Sequence, residues 1–146
     1  MKLSPLEEYG LRCLIQLARR GQDNAQPVTI RQIAEGEGLS TAYVGKLMFL
    51  LQRAALVHST RGVQGGYLLA RPAEELGLDK IFEALDPGTL DDVCDKFTGN
   101  EDACVHNGSC AIKHVWHGLN EHVNEYLRKR SLAELAGLTA REKTAV

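Results

Sequence analysis

Whole classes of protein require features that this sequence lacks. No apolar run approaches the ~18–20 residues that cross a bilayer, and residues 1–10 carry no apolar signal-peptide core. A cytoplasmic protein with no membrane partner is therefore expected. There is no nucleophile elbow, phosphate loop, paired metal-binding helix motif or dinucleotide fingerprint. The glycines of Gly62-x2-Gly65-Gly66 are not followed by the Lys-Ser/Thr pair of a phosphate loop. A Cys110–His114 nucleophile pair is conceivable, but such pairs usually need a larger scaffold to hold a third orienting group, so no enzyme is expected. Cysteine is scarce, at four residues, and no two of them form the CxxC unit that closes a zinc ribbon.

What is present fits one compact domain with appendages. The chain has 146 residues, 44% hydrophobic and 25% charged, which sets aside disordered and repetitive readings. The net charge of −2 hides an asymmetry. Met1 to Arg71 holds 9 basic against 5 acidic residues, and Pro72 to Val146 holds 8 against 14. A basic first half suits nucleic-acid binding beside a different second module.

Leu3, Leu6, Gly10, Cys13, Leu14 and Leu17 recur at helical spacing, predicting a helix over about 4–20 with Ser4 as N-cap and Pro5 first. Cys13 lies on the apolar stripe and reads as a core residue. Thr29 and Gln32 form a capping box for a second helix that stops at Gly36-Glu37-Gly38. Ser40 caps a third, from Thr41 to about Ala54, with Val44, Leu47, Leu50 and Leu51 inward. Two short helices joined by a glycine-containing turn match either a helix-turn-helix or an ordinary helical hairpin. Two β-prone runs, Leu56–Thr60 and Tyr67–Ala70, flank a glycine-rich tip carrying Arg61. Helix-turn-helix followed by hairpin is the order of a winged helix. Ser40, Thr41, Tyr43 and Lys46 would then face a DNA major groove, with Arg61 and Gln64 on the wing.

Ile112, Val115, Leu119, Val123, Tyr126 and Leu127 predict a long helix over about 111–130, and Ser131 caps a last short one. A long amphipathic helix after a small core suits burial against a second copy. Three cysteines fall in Cys94-x9-Cys104-x5-Cys110-x3-His114, a cluster of odd number that fits disulfides poorly. Thiolates spread on a loop suit an iron–sulfur cluster, with zinc binding and free redox thiols as alternatives. His106, His114, His117, Glu7 and Glu8 are nearby or reachable candidates for a fourth ligand. The expected organisation is a winged helix-turn-helix domain over 1–88, a cysteine loop over 89–110, and a dimerisation helix with tail over 111–146. The fold class is mainly α with a small β-hairpin.

Met1-Lys2-Leu3-Ser4, Tyr9, the Ile33-Ala34-Glu35 to Leu39-Ser40 turn, Tyr43, Leu47 and Arg61-Gly62-x2-Gly65-Gly66-Tyr67-Leu68-Leu69 together resemble the Rrf-type winged-helix transcription regulators. The resemblance runs from Met1 to about Glu134 and includes the IscR/NsrR/RsrR-like iron–sulfur sensors. It implies a homodimer that binds double-stranded DNA at a palindromic operator, and a cysteine loop that holds a 2Fe–2S or 4Fe–4S cluster. Cys94, Cys104 and Cys110 match the family's three ligand cysteines in order, with a longer first gap. Lys113 stands where one branch has a histidine ligand, and His114 follows it. Glu8 matches an acidic ligand that other branches supply from the second subunit. Glu37 stands at a position that one branch fills with histidine. Arg61 matches the family's minor-groove arginine, whereas Gly45 and Lys46 replace acidic and amide base readers and imply a different DNA preference. The resemblance also admits a cluster-free regulator controlled by a protein partner or by thiol oxidation.

Overall fold

The computed structural model describes residues 3–21, 26–86, 104, 106 and 109–138. Cys94 and most of the expected cysteine loop lie outside these residues. Local chemistry sets the helix starts. Ser4 and Glu7 cap each other reciprocally: Ser4 Oγ accepts from the Glu7 N–H at 3.2 Å, and the Glu7 carboxylate accepts from the Ser4 N–H at 2.6 Å. Helix α1 runs Pro5–Gly21 and buries Cys13, Leu14 and Leu17. The Thr29–Gln32 box opens α2, Ile30–Glu37, which Gly38 ends. Ser40 Oγ accepts from the Tyr43 N–H at 3.2 Å and opens α3, Thr41–Arg53.

Ala55, at φ 57, turns the chain from α3 into β1, Val57–Thr60. β1 pairs antiparallel with β2, Gly66–Leu69, placing Val57 opposite Leu69 and Thr60 opposite Gly66. Val28 adds a single bridge to Tyr67, exchanging backbone hydrogen bonds at 2.9 and 2.8 Å. A Cβ on Gly66 would lie 2.7 Å from the Val28 carbonyl, so only glycine lets these backbones meet.

A 3-10 turn at Ala73–Glu75 leads into α4, Leu78–Leu85, and the C-terminal part adds α5, Ala111–Arg128, and α6, Leu132–Ala136. Leu14, Ile33, Val44, Leu47, Leu51, Ile81 and Leu132 draw α1 to α4 and α6 around one core. Arg19 Nε–H donates to the Ala136 carbonyl at 3.1 Å, tying α6 to α1. An antiparallel bridge between Gly77 and Ser131 holds the C-terminal end of α5 beside α4, with Leu132 N–H donating to the Leu76 carbonyl at 2.8 Å.

The rest of α5 leaves the core. Its 18 residues span ~27 Å, and none is buried. Val115 is 64% exposed and Leu119 41%. The apolar stripe read from the sequence therefore exists, and among the described residues only its C-terminal end, at Leu127, packs against the core. No helix among the described residues is long and apolar enough to cross a membrane.

Candidate nucleic-acid interface and cysteine site

Helix α3 is held by its inward face. Val44, Leu47, Met48 and Leu51 are buried, which sends Ala42, Lys46, Phe49 and Arg53 to the opposite side. α3 contains no acidic residue, and among the described residues neither Lys46 nor Arg53 has an ion pair. Ser40 and Thr41 are exposed at the N-terminal end, although the Ser40 hydroxyl is already engaged as the cap. Tyr43 is half-buried, its ring edge-on to Tyr9 with centroids 5.8 Å apart. That contact fixes the front of α3 against α1.

Arg61 and Gln64 are exposed at the hairpin tip, and neither side chain is engaged among the described residues. Gly62, at φ 118, makes the turn that a side chain would strain. The wing thus presents a cation and an amide on a narrow projection beside α3. Phe49 and Arg53 escaped the reading of the sequence, although their spacing of three and seven residues from Lys46 places them on its face. The Arg53 guanidinium lies 5.8 Å from the centre of the Phe49 ring.

Glu8 is half-buried and engaged. Its carboxylate accepts from the Arg12 guanidinium at 2.9 Å. Arg12 also lies over the Tyr9 ring, 5.5 Å from its centre, and stands 4.0 Å from Glu37. Glu37 in turn accepts from the Gln16 amide at 2.7 Å. These side chains run from the first turns of α1 to the turn that precedes α3. Beneath them lies Cys13, whose thiol is pushed up to about 12, chiefly by burial and then by the Glu37 charge.

Cys110 is the N-cap residue of α5, and its side chain makes no capping bond. Cys104 and Cys110 are half-buried free thiols. His114 lies one turn beyond Cys110, whose carbonyl accepts its N–H at 3.4 Å, and its side chain is exposed. His106 is exposed, and His117 pairs with Glu121 at 3.7 Å. Among the described residues no three His, Cys, Asp or Glu side chains converge on one point. Cys104 and Cys110 fit a thiolate-bound cluster in kind, being free soft sulfurs clear of the core, with Cys110 at a helix start.

The family profile of Rrf2, described as an iron-dependent transcriptional regulator, matches residues 3–137. The protein rrf2 of Nitratidesulfovibrio vulgaris is 32% identical over 135 residues, covering 92% of this chain and 87% of the relative. The HTH-type transcriptional regulator IscR of Yersinia pseudotuberculosis is 29% identical over 135 residues, covering 92% and 79%. Among solved structures, IscR of T. potens superposes with a TM-score of 0.75 at 28% identity, covering 100% of this chain and 93% of the other. CymR of B. subtilis, titled the global cysteine regulator, superposes with a TM-score of 0.75 at 28% identity, covering 96% and 99%. The winged-helix architecture is therefore shared with both.

Proposed function

The chain belongs to the Rrf2 family of transcriptional regulators, and on that premise we propose a homodimeric DNA-binding regulator that senses redox state, nitric oxide or iron–sulfur status. Cys94, Cys104 and Cys110 would hold an iron–sulfur cluster, with Glu8 reaching across the dimer as fourth ligand and His114 next in order. Such a cluster, when bound, supplies one-electron chemistry and an iron open to small molecules. The observation that supports this best is α5: it carries Cys110 at one end, ~27 Å from its anchored end, along an apolar stripe that stays exposed among the described residues. A second copy laid along that stripe covers it and brings the thiols of one subunit towards the other.

DNA recognition follows from the exposed surface. Ser40, Thr41, Tyr43 and Lys46 present α3 to a major groove, and Arg61 and Gln64 serve the wing. A twofold dimer reads a palindromic operator because each half-site meets the same residues. The Arg12 network gives the two regions a physical connection. The oxygen of Glu8 that binds Arg12 cannot also bind a metal at full strength. Withdrawing it leaves the Arg12 cation to Glu37, at the turn ahead of the reading helix.

A second reading is a cluster-free regulator controlled by a protein partner or by thiol oxidation. The equal likeness to CymR and the two free thiols, Cys104 and Cys110, favour it. Visible absorption of the anaerobically purified protein separates the two. Broad sulfur-to-iron bands are expected, and a colourless protein that refuses reconstitution with iron and sulfide would leave the second reading standing.

A further inference from the structure

Phe49 is not among the residues of the proposed DNA and cluster sites. It is 58% exposed, on the side of α3 that faces away from the core. A lone exposed apolar residue means little, but this one stands between Lys46 and Arg53 on a helix without an acid. Its ring also carries the Arg53 guanidinium at 5.8 Å. A protein partner for that face would need acids to meet two cations. A DNA duplex meets them with phosphates, and the apolar group on its major-groove floor is the thymine methyl. Three helical residues advance ~4.5 Å, so Phe49 addresses a base pair about one ~3.4 Å step beyond that facing Lys46.

We infer that Phe49 is a specificity-determining residue that reads the 5-methyl group of a thymine, while Arg53, stacked on its ring, meets the neighbouring phosphate. The ring offers no hydrogen bond, so it discriminates by the methyl alone. This inference rests on the DNA-binding reading above.

The test begins with duplexes enriched from a random library by the anaerobically purified wild-type protein. Each thymine of the enriched duplex is then replaced singly by deoxyuridine, which deletes the methyl and keeps the pairing. Wild-type protein is expected to lose affinity roughly fourfold at one thymine per half-site. Phe49→Ala should bind the parent duplex more weakly and ignore that substitution, and Phe49→Leu should keep part of the preference. Thermal melts of both variants, which touch an exposed residue, should match the wild type. Indifference of the wild type to every deoxyuridine, or undiminished methyl preference in Phe49→Ala, overturns the assignment. Loss of binding in Lys46→Ala and Arg61→Ala on the same duplex would then keep the DNA reading intact. If the wild type enriches no duplex, both readings fall.

Discussion

Cys13 and Cys110 carry the same thiol in different surroundings, one fully inside the core and one half-buried at a helix start. The Cys13 thiol is held protonated by burial, up to about 12 against an ordinary 9.0. An unfolded chain releases that proton first. The stabilising contribution is therefore complete below pH ~9 and lost as pH rises towards ~12. Urea midpoints of wild type should fall more steeply over that range than those of Cys13→Ala; parallel slopes would show an unperturbed thiol. Cys110 is free at a helix start, and the question there is its partners. Reconstituted Glu8→Ala should show an altered absorption and circular dichroism spectrum and faster cluster loss, with a smaller change in His114→Ala. The reverse order would make His114 the fourth ligand. On the wing, Arg61 has no partner among the described residues to leave. Arg61→Ala should weaken binding to the enriched duplex and flatten the salt dependence by about one unit of log–log slope, measured by fluorescence anisotropy. An unchanged slope would remove Arg61 from the phosphates.

Among the described helices, α5 is the one with no buried residue. Leu119 is 41% exposed in a single protomer, so truncating it should cost little there. Buried between two copies, Leu119→Ala should weaken association by ~2–5 kcal/mol. Sedimentation equilibrium distinguishes the two, and a wild-type monomer at micromolar concentration would end the dimer proposal. α1, α2, α3 and α5 were all legible in the sequence because each rests on local signals: the Ser4, Thr29 and Ser40 caps, the closing glycines, and apolar residues at helical period. The hairpin was legible from its glycine-rich tip. The Val28 bridge to Tyr67 and the Gly77 bridge to Ser131 were not, since a single-residue pairing leaves no periodic trace. The candidate site divides in the same way. Cysteine spacing and exposed basic residues can be read along the chain, as can the place of Glu8 on its helix. Its engagement with Arg12, and through Arg12 with Glu37, depends on how α1 and α2 pack, and only the fold displays it.

At the scale of the whole molecule, the charge asymmetry of the sequence acquires a place. The basic half forms α1 to α3 and the wing, and the more acidic half supplies α4, α5 and α6. Both halves share one core, because α6 returns to α1 and the Gly77–Ser131 bridge clamps α5 beside α4. Under the proposed function, a change at the cysteine end of α5 reaches the shared core along one continuous helix. The Glu8–Arg12–Glu37 chain offers a second route to the same reading helix. The central claim is that DNA affinity depends on what the cysteines hold. Its most direct test is an anaerobic anisotropy titration of one enriched duplex, with protein carrying its cluster and with the same preparation stripped by chelator. At least a tenfold difference in Kd between the two forms is expected. Equal affinity, with the cluster's absorption shown to be present in one form and gone from the other, would contradict it.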